Sequence, residues 1–197
     1  MSVVERWFGA GFTQLHPLLQ QLHQQGGKLH GDVDLQFGRG LAGVIGVRLA
    51  TRLGVPTKQA RVKFQVDIHD SDNTLHWNRY FADSAVLYSR FQPSGSWPHG
   101  HWLESTGAVK LAMAVDVIEG GWYWRPLKAW LHGVRIPLWL LPRTEAYKRI
   151  EEGRYQFYVG FSLPLLGNLF SYSGALQLDH TATIPNSATA ITVAAVP

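Results

Sequence analysis

"RVKFQVDIHDSDNTLHWNRYFA", Arg61 to Ala82, is two runs of alternating apolar and polar residues joined by a polar turn. Period-two alternation on both sides of a short Asp/Ser/Asn cluster predicts a β-hairpin with one face buried. If Asp70 to Asn73 form the loop, Val66 opposes Trp77, Phe64 opposes Arg79 and Val62 opposes Phe81 on the apolar face. Asp67 then opposes His76, and Gln65 opposes Asn78, on the other.

The same period runs on from this hairpin to Leu178. Strands are expected at Val86 to Gln92, His101 to Thr106, Ala108 to Ile118, Trp122 to Leu131, Thr144 to Glu151, Arg154 to Leu163 and Leu169 to Leu178. Turns such as "EGG" and "EEG" separate them. On the amino-terminal side the period is helical. "QLHPLLQQLHQQ", Gln14 to Gln25, spaces its leucines for a helix with Thr13 as its cap and Gly26-Gly27 as its stop. "KLHGDVDLQF" reads as a strand, and "LAGVIGVRLATRLG" returns to helical spacing until Pro56. The predicted fold is α+β: two N-terminal helices packed on a strongly curved antiparallel β-meander of about eight to ten strands, a half barrel or barrel. Residues 1–197 are expected to form a single domain. Its helical part with one strand is 1–56, its antiparallel sheet is 57–178, and 179–197 is a last strand or loose tail.

Composition narrows the functions. Charged residues make up 16% of the chain, against about 25% in ordinary globular proteins, so the surface is thinly charged. Eight tryptophans are many for 197 residues, and indole rings suit cavities and interfaces. The net charge of +4 is spread along the chain without a Lys/Arg stripe, which argues against nucleic acid as a partner. Without cysteine there is no disulfide framework and no thiolate chemistry. "MSVVERWFGAGF" lacks the continuous apolar run of a secretory signal, and a cytoplasmic location is expected.

Individual residues suggest chemistry. Arg79 falls on the apolar face of the hairpin, and a guanidinium cannot shed its charge there. It needs a carboxylate such as Glu104 or Asp116, or the acidic head of a ligand. Trp77, Phe81 and Phe64 flank it. Asp67 opposite His76 would be a carboxylate orienting an imidazole, the germ of a small enzyme site. "GRGLAG", Gly38 to Gly43, matches a dinucleotide-binding pattern. No further strand–helix units follow it, so its glycines are read as a tight turn into a closely packed helix, and no cofactor is assigned. His99 and His101 are two ligands without a third, so no metal site is expected.

"GVRIPLWLLPR", Gly133 to Arg143, is echoed by "GFSLPLLGNL", Gly160 to Leu169. Pro137 and Pro164 belong at strand ends. The leucines after them, with Leu138 and Trp139 foremost, would form a lid or seal one end of a barrel. A weak contact with a membrane surface is expected there, with Trp139 and Arg135 or Arg143 at headgroup level.

Together "LHPLLQQLH", "GRGLAGVIGVRLATRLGVP", "HWNRYF", "YSRF", "GVRIPLWLLPR" and "EEGRYQFYVGFSLPLLGNLFSYSGAL" resemble a bacterial family of uncharacterised domains. Its members occur alone and fused to saccharopine-dehydrogenase-like reductases. The resemblance implies no catalytic residues. It implies that Trp77, Arg79, Phe81, Pro137 and Pro164 belong to a shared pattern, and that a reductase or other domain is a partner. The leading expectation is a non-catalytic module binding a hydrophobic or acidic amphipathic small molecule through Arg79, Trp77, Phe81, Phe64, Trp139 and Leu138. An Asp67–His76 enzyme and a protein-docking domain are the alternatives.

Overall fold

A computed structural model describes residues 1–82 and 86–179. Eleven strands follow in antiparallel order: β1 Gly27–Phe37, β2 Arg61–Ser71, β3 Thr74–Phe81, β4 Leu87–Ser94, β5 His101–Thr106, β6 Val109–Ile118, β7 Gly121–Leu131, β8 Val134–Ile136, β9 Arg143–Glu151, β10 Arg154–Leu163 and β11 Gly167–Leu178. Sequential neighbours pair from β1 to β7. β1 also pairs with β11, which pairs with β10, and β10 with β9.

Closure comes from β7, which shares its length between two partners. Its first half meets β9 at Trp122↔Lys148 and Trp124↔Ala146, and its second half meets β8 at Ala129↔Ile136 and Leu131↔Val134. The result is a closed ten-strand antiparallel barrel in which β8 is an appendage. The expected meander is present, and the strand read within the helical part closes the ring by pairing on both edges.

Three helices accompany the barrel: α1 Val3–Phe8, α2 Pro17–Gln25 and α3 Gly40–Arg52. The sequence reading has two. The third, α1, is capped by Ser2, whose hydroxyl accepts from Glu5 N while the Glu5 carboxylate accepts from Ser2 N, a reciprocal cap that satisfies two otherwise orphaned donors. Gly9–Gln14 form a 3-10 turn, so α2 starts at Pro17 with the His16 imidazole rather than Thr13 as its cap. Trp7 and Phe8 pack on Trp102 and Trp122 with centroids 5.2 Å apart in each pair. Leu15, Leu19 and Leu22 join the same core, so α1 and α2 plug one end of the barrel. A tail beyond Asp179 lies outside the described residues.

"GRGLAG" serves the packing of α3. A Cβ on Gly38 would stand 2.2 Å from the Asn168 carbonyl oxygen, and one on Gly46 2.0 Å from that of Leu169. The glycines let the helix backbone lie against β11, as the tight-turn reading has it.

Candidate functional site

The barrel interior holds a cavity of about 580 Å³ that opens at the end opposite the plug. Its wall is mostly apolar, with Val66, Phe64, Leu111, Trp124, Phe157 and Phe161 among its residues. Alternation brings these side chains inward from successive strands. Leu138, Leu141 and Pro142 fill the notch where β7 has left β9 for β8. The proline-stiffened segment thus lies along the seam beside the mouth.

The hairpin register differs from the sequence reading. Asp72 and Asn73 alone form the turn, both in the left-handed region at φ 48° and 57°, a conformation that Asn and Asp tolerate better than most residues. The pairs become Phe64↔Phe81, Val66↔Arg79, Ile68↔Trp77, His69↔His76 and Asp67↔Asn78. A slip of two residues keeps every side chain on its expected face. Arg79 therefore still points inward, and the opposition of Asp67 to His76 does not exist.

Arg79 is part-buried in the cavity wall. Its Nη1 donates to Ser89 Oγ at 2.9 Å, Ser89 Oγ contacts Thr106 Oγ1 at 2.9 Å, and Thr106 Oγ1 donates to Glu104 Oε1 at 3.2 Å. Glu104, one of the two expected partners, is thus linked only through two hydroxyls. Asp116 lies elsewhere, paired with Arg125 at 2.8 Å. Among the described residues no carboxylate approaches Arg79 within 4.0 Å. The guanidinium also rests on Trp77, 5.5 Å from the ring centroid. Tyr172 lines the same wall, and burial holds its hydroxyl above the usual tyrosine range despite the opposing pull of Arg79.

Deeper, toward the plug, lies a basic residue the sequence reading missed. Lys148 sits on the inward face of β9, its Nζ 4.2 Å from the Trp77 centroid and 4.0 Å from that of Trp122, in hydrogen-bond contact with His23 Nε2 from α2. No ion pair reaches it among the described residues. Burial, and then the charge of Arg79, push the Lys148 ammonium well below the ordinary lysine range. The two indole faces favour the cation, but the loss of water outweighs them. Burial likewise drives His23 well below the ordinary histidine value, with Lys148 adding to the effect. The available signal was the alternation of "TEAYKRIE", which puts Lys148 on one face with Ala146 and Ile150.

The other expected residues divide. Trp77, Phe64 and Leu138 line the cavity. Phe81 is buried behind Phe64, with ring centroids 4.9 Å apart, and is not in the wall. Trp139 is 78% exposed and points away from the wall. On the outer face His76 stacks on His69 at 5.0 Å and contacts Ser71 Oγ through Nε2 at 3.2 Å, while the Asp67 carboxylate sits 3.6 Å from His69 Nδ1. The carboxylate thus lies beside the His69 imidazole rather than that of His76, and these groups are not in the cavity wall.

Fold and site define a class: a closed antiparallel β-barrel with one plugged end, one open end and a mostly apolar interior into which, among the described residues, Arg79, the buried Lys148 amine and one carboxylate, Glu104, are set. The chain belongs to the DUF4166 family, a domain of unknown function, whose model matches residues 15–176. No curated protein and no solved structure matches it.

Proposed function

We propose that this barrel is a binding module for an amphipathic small molecule with an acidic head, held with the head at Arg79 and the apolar part along the apolar wall of the cavity. The observation that carries the reading is the charge balance of the interior. Among the described residues the wall offers Arg79 one carboxylate, Glu104, and Arg79 reaches it only through Ser89 and Thr106, while burial opposes a charge on the nearby Lys148. A part-buried guanidinium without a direct counterion is the geometry that a carboxylate or phosphate head completes with charge-assisted hydrogen bonds. The surrounding apolar wall suits one or two hydrocarbon chains. Such a module suits delivery of its ligand to a reductase or other domain, a partner that only the family resemblance suggests.

Thermal unfolding of wild type and Arg79→Leu, each with and without a panel of fatty acids and acidic lipids, tests this. Wild type should gain about 2.7 kcal/mol at ligand concentrations a hundred times Kd. Arg79→Leu should keep its ligand-free stability and lose that gain. If the variant instead loses about 3 to 5 kcal/mol and wild type gains nothing from any acid, Arg79 is only the internal partner of Glu104.

A further inference from the structure

The exposed large apolar side chains are not scattered. Except for Met1, Tyr88 and Ile118, they stand on the segments that surround the cavity mouth. The register makes these segments neighbours. The seam loop leads into β9, β10 beside it ends at the Pro164–Leu166 turn, β11 starts from that turn, and α3 follows the end of β1 that pairs with β11. Trp139 and Leu140 on the loop are 78% and 56% exposed, Leu41 and Val44 on α3 63% and 57%. Leu165 is fully exposed and sits in the left-handed region at φ 71°, a strained position for a leucine. An apolar rim of this size on a protein surface marks a contact.

Charge says what the contact is. The stretches 38–60, 107–110, 127–143 and 163–168 carry eight Lys or Arg and no Asp or Glu. The plugged end carries the acids instead, Glu5, Asp70, Asp72, Glu119, Glu151 and Glu152. A second copy seated mouth to mouth would set these cations against their own kind, which is unfavourable. Apolar side chains with an exposed indole, ringed by Lys and Arg, match the interface of an anionic bilayer.

We infer that the rim formed by α3, the seam loop and the β10–β11 turn docks on the surface of an anionic lipid bilayer, bringing the cavity mouth against the membrane. The docking stands independently of what the cavity holds. A ligand that fails to bind in the unfolding experiment leaves it intact.

Flotation of the full chain with vesicles of phosphatidylcholine alone, and of phosphatidylcholine with 30% phosphatidylglycerol, tests it. The protein should float with the anionic vesicles and remain behind with the neutral ones. Trp139→Ser/Leu140→Ser/Leu165→Ser should reduce the bound fraction at least tenfold, as should Arg135→Glu/Arg143→Glu. Ile118→Ser, at the plugged end, should float like wild type. Circular dichroism should show the same strand content in all of them. Three results would overturn the inference: wild type that ignores anionic vesicles, a triple variant that floats undiminished, or light scattering that shows a dimer which the triple variant dissolves. The last would assign the rim to a second copy.

Discussion

Lys148 and His23 are the residues at which the fold works against itself. Between the plug and the cavity floor each has lost its water, and among the described residues neither has gained a carboxylate. Removing one strands the other, but removing both with apolar side chains of similar shape avoids an orphaned polar group. His23→Leu/Lys148→Met should therefore gain about 1 to 4 kcal/mol in chemical denaturation at pH 7. Because burial lowers both values, the unfolded chain binds protons that the folded one does not, so stability rises with pH. Wild type should gain stability from neutral pH toward about pH 10 as the unfolded lysine also sheds its proton, and lose it below about pH 6.5 as the unfolded histidine takes one up. The double variant should show neither slope from this pair. A variant no more stable than wild type at pH 7 would mean that the indoles and the imidazole fully offset the burial. At this scale the sequence made Arg79 legible because face survives an even slip in register, while Asp67 and His76 depended on the register itself. Lys148 was hidden because a lysine in a strand is ordinarily a solvent-facing residue.

Among the elements, α3 depends most on what its residues lack. Ala42, Gly46 and Ala50 face β11, and the Leu169 carbonyl lies where a side chain on Gly46 would begin. Gly46→Ala should lift the helix and cost about 1 to 3 kcal/mol, measured by urea unfolding. Gly40→Ala gives a useful contrast. It meets nothing within 4 Å but requires φ +55°, so its penalty should come from the backbone alone, about 1 kcal/mol. Except for the three-residue β8, which had been read as part of a lid, the strands were legible to within a few residues because alternation is local. The reciprocal cap of Ser2 and Glu5 was equally open to reading, but a six-residue helix is too short to announce itself by periodicity. The hairpin turn was read as four residues where two suffice, since Asp72 and Asn73 adopt the left-handed conformation without glycine.

In the whole molecule, plug and barrel share one core. Trp7 stands against Trp102, Phe8 against Trp122, and His16 N donates to the Gly120 carbonyl at 2.9 Å. Trp7→Ala should cost about 3 to 5 kcal/mol, and far-ultraviolet dichroism and tryptophan fluorescence should still fall together in one earlier transition. Separate transitions would mean that the helices and the sheet are independent units. The alternation of the strands implied a curved sheet, but not how it closes. Closure depends on β7 meeting β9 across an intervening hairpin, a choice made by distant residues rather than by the local pattern of either strand.

That divided loyalty of β7 also gives the interior its taper. Ten strands complete the circumference at the plug, whereas near the mouth the same circle must admit β8 and the seam. This lengthens the perimeter by at least one strand spacing, about 4.8 Å. A wall built this way widens toward the mouth, while Lys148, held against the Trp77 and Trp122 rings, stands at its far end. A molecule that fits should be broader toward the mouth than at the floor, so among acids of equal length and hydrophobicity branched or double-chained ones should be retained over single straight chains.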